Sequence, residues 1–178
     1  LIAAILILPT AWSPAKAEVF DEYQVKAVFL YNLTNFITWP LEKDPAQNKT
    51  FTIGVFGRDA FGAYLDQAVA GETAAGRGIR VERLSSLEQI QARSCQLLFI
   101  SGDQMSLWPQ IRQIVRTRHM LSVSDVEGFG QRGGMVNLLT TGRKIRIEVN
   151  MDEARRNGFK ISAKLLRLAR IVTDGKDQ

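Results

Sequence analysis

The chain has 178 residues, with 23 Lys or Arg against 18 Asp or Glu, a single His and a formal net charge of +5. That length suits one domain able to bury roughly two thirds of its unfolded surface. The mixed composition excludes collagen-like, low-complexity and disordered classes. One cysteine, Cys95, excludes an intrachain disulfide.

Leu1 to Leu8 is an apolar run too short to span a bilayer, and Pro9, Trp12, Pro14 and Ala15-Lys16-Ala17 follow it. This reads as a signal peptide over residues 1–17, shortened at its N-terminus, with an A-x-A site before Glu18. The expectation is therefore a protein exported to the periplasm, whose residues 18–178 form one domain. An exported domain does not ordinarily meet nucleic acid, so the basic balance points to a membrane surface or an acidic protein patch.

Glu22 to Trp39 is expected to form a long amphipathic helix, with Val25, Val28, Phe29, Leu33, Phe36 and Ile37 as its apolar stripe, stopped by Trp39-Pro40. Phe51 to Phe56 is nearly continuous in apolar residues, the mark of a strand covered on both faces. Gly57-Arg58-Asp59 turns into a helix carrying Phe61, Leu65, Ala68 and Val69. Its glycines match neither a dinucleotide fingerprint nor a phosphate loop, and Asp59 would repel phosphate, so it reads as a plain turn. Gly71 to Gly78 reads as a loop and Ile79 to Arg83 as a short alternating strand. A small helix holding Leu87 and Ile90 follows, capped by Ser85 or Ser86. Cys95 to Ser101 is the most strand-like run in the chain and reads as central. A helix over Leu107 to Arg116 and a strand over Met120 to Val123 complete the alternation. Four strand and helix alternations specify an α/β fold, a mostly parallel doubly wound sheet flanked by helices.

Ser124 to Gly134 is rich in glycine and implies a tight path anchored by Phe129. It leaves the carboxyl end of a strand, where open α/β sheets bind ligands. Met135 to Leu139 and Ile145 to Val149 read as an antiparallel C-terminal hairpin at one edge, turning at Thr141-Gly142. Ile145, Ile147 and Val149 share one face of its second strand, and Lys144, Arg146 and Glu148 the other. Asn150 can cap a short helix that Gly158 ends. Ile161, Leu165, Leu168, Ala169 and Val172 recur at helical spacing and predict a closing helix. Arg143 to Arg170 gathers nine Lys or Arg against Glu148, Asp152 and Glu153.

Chemistry finds little to stand on. His119 lies beside a strand start with no nucleophile signature, and one His and one Cys do not make a zinc site. Asp103, Asp125 and Glu127 are loop carboxylates, and Cys95 reads as a buried small residue. No catalytic residue, metal ligand or cofactor is assigned. Trp39, Arg58, Asp125, Phe129, Arg146, Lys164 and Arg170 are the candidate residues for a partner or ligand.

Ala27-Val28-Phe29-Leu30-Tyr31-Asn32 with Phe36 and Trp39-Pro40, then Leu98-Phe99-Ile100-Ser101 and Gly133-Gly134-Met135, set a recognisable pattern. Ile145-Arg146-Ile147-Glu148-Val149-Asn150 and Lys160-Ile161-Ser162-Ala163-Lys164-Leu165-Leu166-Arg167-Leu168-Ala169-Arg170 continue it. Together they resemble the YfiR family of small exported bacterial proteins. The resemblance implies a dimeric periplasmic repressor that binds and inhibits an inner-membrane diguanylate cyclase of the YfiN type. A YfiB-type outer-membrane lipoprotein would sequester it, and the output would be cyclic-di-GMP and biofilm formation. Well-known members carry paired cysteines, whereas this chain has Cys95 alone. The alternative from the residues themselves is a periplasmic small-molecule sensor, with Arg58 and the Asp125 to Gly134 loop lining its pocket.

Overall fold

A computed structural model describes residues 21–40 and 49–175 of the chain. The expected signal peptide lies outside the described residues. The first element is helix α1, Glu22–Phe36. Asp21 caps it, its carboxylate accepting the amides of Tyr23 at 3.1 Å and Gln24 at 3.3 Å. The short strand β1, Ile37–Thr38, leads out of it.

Strand β2 (Thr50–Phe56), helix α2 (Ala63–Val69), the short strand β3 (Thr73–Ala74), strand β4 (Arg77–Leu84) and helix α3 (Leu87–Ala92) follow. Then come strand β5 (Leu97–Ile100), a 3-10 turn (Gly102–Leu107), helix α4 (Trp108–Arg118) and strand β6 (Leu121–Ser124). Strands β7 (Val136–Thr141) and β8 (Lys144–Asn150), helix α5 (Met151–Arg156), strand β9 (Lys160–Ile161), helix α6 (Ala163–Leu166) and strand β10 (Ala169–Val172) close the chain.

Eight strands form one sheet in the order β10-β8-β7-β6-β5-β2-β4-β3. The pairs from β4 through β2, β5 and β6 to β7 are parallel, β7 and β8 are the antiparallel hairpin, and β10 runs parallel to β8. The α/β, mostly parallel doubly wound architecture read from the sequence is thus the fold. Strand order reverses between β2 and β5, so Gly57-Arg58 and Ser101-Gly102 meet at the switch point. A separate two-stranded ribbon joins β1 to β9.

The core runs through the middle strands. Phe51, Ile53 and Val55 of β2, Leu97 to Ile100 of β5 and Leu121 and Val123 of β6 are all at most 1% exposed. Both faces of these strands need cover, which is why their sequences do not alternate. Tyr23, Phe61 and Phe99 form an edge-to-face chain with centroids 5.4 and 4.8 Å apart, binding α1 to the α2 approach and to β5.

The structure differs from the sequence reading in several details. Helix α1 stops at Phe36 with Ile37–Thr38 extended after it, and the loop read over Gly71 to Gly78 carries β3 and the start of β4. The buried positions of α1 are Lys26, Ala27, Leu30, Leu33 and Thr34, whereas Val28 is 47% exposed. The helix is rotated from the apolar count because Lys26 turns inward to the half-buried carboxylate of Asp125. The closing helix does not form either. Ser162 caps a helix of four residues, Ala163–Leu166, and Ala169–Val172 then pairs residue by residue with Ile147 to Asn150 of β8. Pairing satisfies the outer edge of β8, and β-branched Ile171 and Val172 favour the extended form over a helix. The sheet therefore ends in β10, and the hairpin lies one strand inside that edge.

The glycines at 133 and 134 serve packing. A Cβ at Gly133, whose φ is +82°, would collide with the Arg112 guanidinium, and one at Gly134 would collide with the Phe129 ring. Phe129 is fully buried and stacks at a tilt on Trp108, 4.6 Å between centroids. The loop is therefore pressed onto the core by its aromatic and closed from outside by α4.

Glu153 fastens the C-terminal third. Its side chain is 1% exposed and takes Arg116 Nε and Nη2 at 2.7 Å each, Arg112 Nη2 at 3.2 Å and Arg156 Nη2 at 3.0 Å. Its amide donates to the Asn150 side chain at 2.9 Å, the expected cap of α5. Asp174 continues the network, accepting Arg156 Nη2 and Asn150 Nδ2 at 2.6 Å each. Burial pushes the Glu153 carboxyl up, but the hydrogen bonds and charges of Arg116 and Arg112 outweigh it and hold the group down to about 2. Because the folded value lies below the usual 4.5, its stabilisation is complete above pH 4.5 and is lost as pH falls from there towards 2. The loss should amount to about 2–3 kcal/mol. Urea denaturation from pH 6 to 2 should show that drop in the parent protein. Glu153→Gln should be less stable at pH 6, with the drop between pH 4.5 and 2 reduced.

Candidate functional site

Two regions gather the candidate residues. The first lies at the carboxyl ends of β2, β5 and β6. Arg58, exposed after β2, donates its amide to both oxygens of Asp103 at 3.3 Å, and its carbonyl accepts the Ser101 hydroxyl at 2.7 Å. Asp125, just past β6, accepts Lys26 Nζ at 2.7 Å and the Tyr23 hydroxyl at 2.9 Å. Lys26 also reaches Glu22 at 3.1 Å and lies 4.6 Å from the centroid of the Tyr23 ring.

The Lys26 side chain is 3% exposed and that of Asp125 11%, so an ion pair fills the place where an open α/β sheet usually receives a ligand. The first turns of α1 act as its internal occupant. Burial, then the Asp125 charge and hydrogen bond, push the Tyr23 phenol well above its usual range, so it stays a donor. Phe129 faces the core rather than this crevice. Trp39 pins the end of α1, its Nε1 donating to the Thr34 carbonyl at 3.3 Å and its ring packed edge-on against Phe51 and Phe159.

The second region is the β8–β10 edge. One register row crosses four strands: Ser124, Asn137, Glu148 and Arg170 are successive partners on β6, β7, β8 and β10. Their side chains share a face of the sheet. Glu148 is 4% exposed, so the alternation that placed it with Lys144 and Arg146 is kept while its burial is not. Arg170 Nη1 stands 3.7 Å from it, on a side chain 64% exposed. Arg146 is exposed on β8, and Lys164 projects from α6 with its ammonium 5.5 Å from the Phe36 ring centroid.

Sequence reasoning missed two apolar residues at this edge. Leu168 and Ile171 are 69% and 56% exposed, although helical spacing had placed Leu168 in a buried stripe. The β-branched pair Ile171-Val172 was the signal for a strand. Elsewhere, Cys95 is buried, and burial pushes its thiol up to about 11, far from thiolate chemistry at neutral pH. His119 ends α4 in the left-handed region with φ +52°, its Nδ1 3.3 Å from the Asn157 carbonyl. Among the described residues, no three His, Cys, Asp or Glu side chains are gathered to hold a metal, and no helix is long and apolar enough to cross a membrane.

A doubly wound α/β domain with an internally filled crevice and a cationic, partly apolar sheet edge is the class that fold and surface define. Residues 23–170 match the YfiR/HmsC-like family, and the chain belongs to it. That family is regulatory and non-catalytic, and membership supports a periplasmic regulator of cyclic-di-GMP signalling. No curated protein matches the chain.

Solved structures share the fold at low identity. A conserved domain protein from Vibrio cholerae aligns with a TM-score of 0.58 at 11% identity, over 84% of this chain and 59% of that one. A ligand-free, open substrate-binding protein with adhesive properties from Clostridium difficile aligns at 0.50 and 12%, over 70% and 55%. An ABC domain in complex with L-Trp from Streptococcus pneumoniae aligns at 0.50 and 12%, over 68% and 55%. The chain thus spans between 55% and 59% of the length of these three structures.

The Lys26–Asp125 pair makes the attachment of α1 testable. Asp125→Ala leaves a buried ammonium with Glu22 alone and should cost about 3 kcal/mol, comparable to breaking other buried pairs. Lys26→Met combined with Asp125→Leu should recover most of that loss. Chemical denaturation of the cycle checks the energies, and amide exchange should show faster opening in residues 22–30 of the single variant.

Proposed function

We propose that the chain is a periplasmic repressor, exported by a cleaved signal peptide, that binds the extracytoplasmic part of a YfiN-type inner-membrane diguanylate cyclase and keeps it inactive. Lower cyclic-di-GMP, and with it less biofilm, is the output. A YfiB-type outer-membrane lipoprotein relieves the inhibition by sequestering the repressor, which acts as a homodimer. The observation that carries this reading is the family match, because its bounds reach from α1 to β10.

The physical form of the molecule supports regulation by contact. Asp125 is engaged by Lys26 and Tyr23 of α1, so a small ligand at that carboxylate would have to displace the helix. The groups offered outward include Arg146, Arg170, Leu168 and Ile171 of the β8–β10 edge. Candidate contacts are accordingly this edge, Lys164 beside it and the exposed side of α1.

Deleting the gene in its host should raise intracellular cyclic-di-GMP several-fold and increase surface attachment, and the intact chain supplied in trans should reverse both. An unchanged level in the deletion would defeat the repressor reading.

A further inference from the structure

The sheet ends at β10 with its outer side unpaired by any strand among the described residues. Such an edge is a template for another strand unless it is guarded. Here Leu168 and Ile171, two of the three exposed large hydrophobics among the described residues, stand on or beside it. Ile171 shares its register row with Val149 and Val136, both fully buried. The apolar face is therefore covered as far as β8 and uncovered at β10, one strand short of completion. The opposite face at the same edge is cationic, with Arg170 beside Glu148, Arg146 on β8 and Arg167 exposed before the strand.

We propose that β10 is a docking strand for an extended acidic segment of a partner protein. The segment adds to the sheet by main-chain hydrogen bonds. It alternates, with aliphatic side chains on the Ile171 face and carboxylates on the Arg170 face, because successive residues of a strand point to opposite sides. Charge complementarity decides the occupant. A second copy of this chain would bring two Arg170–Arg167 clusters together, and like charges across an edge repel. A lipid surface would engage the cations but has no backbone with which to pair the strand.

The inference rests on the regulatory reading only for the source of the segment. Peptide binding and the cyclic-di-GMP response can each fail while the other succeeds, so the two are separable. The probe is a labelled synthetic peptide of about eight residues alternating glutamate with valine, titrated into the purified protein by fluorescence anisotropy. Saturable binding is expected, with slowed amide exchange confined to β10. A lysine–valine peptide and a version with proline at alternate positions should each bind at least about tenfold more weakly, a difference of about 1.4 kcal/mol.

Ile171→Thr removes exposed apolar area while keeping a strand-forming residue, and it should weaken binding several-fold with an unchanged circular dichroism spectrum. Arg170→Gln should weaken it too, although it also deprives Glu148 of its cation, so Ile171→Thr decides if the other misfolds. Failure of the acidic peptide to saturate, or equal binding by the proline peptide, overturns the proposal. So does a concentration-dependent dimer that Ile171→Thr abolishes, or preferential binding to phosphatidylglycerol vesicles through the same residues.

Discussion

Burying Glu153 would by itself be costly, since a carboxylate removed from water loses several kcal/mol unless charge and hydrogen bonds replace the solvent. Three arginines supply them, two from α4 and one from α5 itself. The consequence is topological as much as energetic. The segment after β8 has only short elements, none longer than six residues. Little apolar area is available to fix such pieces. The ionic hub fixes α5 against α4, Asp174 extends it into the chain end, and the Gly175 amide donates to the Gln131 carbonyl at 2.8 Å, so that the tail straps the glycine loop. With both its ends thus held, β10 can lie along β8.

A comparable substitution of charge for apolar contact operates at the other end of the sheet. Lys26 sits on the buried side of α1 because Asp125 meets it there, at the carboxyl end of β6. The helix is thereby held at the carboxyl end of β6, with Tyr23 reaching Phe61 beyond β2. At both places a buried charge is met by an opposite charge from a distant part of the chain. The doubly wound sheet thus carries a buried ion pair at the carboxyl end of β6.

These same pairs mark where the sequence could and could not be read. The continuous apolar runs of β2 and β5 announced buried parallel strands, and Asn150 with Gly158 announced α5, because those signals are local. The burial of Lys26, Glu148 and Glu153 was not legible, since each depends on a partner distant in sequence or on neighbouring strands. Of these, Lys26 and Asp125 are 99 residues apart. The closing segment misled for a related reason. Its apolar spacing fits a helix over twelve positions, roughly three turns, but the open edge of β8 offered Ala169–Val172 a ladder that periodicity does not register. Among the candidate residues, Trp39 and Phe129 turned out to be packing anchors, and Arg146 and Arg170 to lie together at the edge.

The two edges of the sheet are built differently. At the far edge β3 covers only the start of β4, through Thr73 and Ala74. The rest of β4 is dressed in charge, with Arg80 on Glu82 at 2.6 Å and Arg83 on Asp59 at 2.9 Å. Charged side chains along a strand discourage a passing strand, which is the usual protection of an edge. At β10 the cations outnumber the one buried carboxylate, and two aliphatic side chains stand where protection would require polar ones. An exposed Leu alone is ordinary. An exposed Leu and Ile on a free, unbalanced cationic edge select for one kind of neighbour, an extended segment bearing the opposite charge.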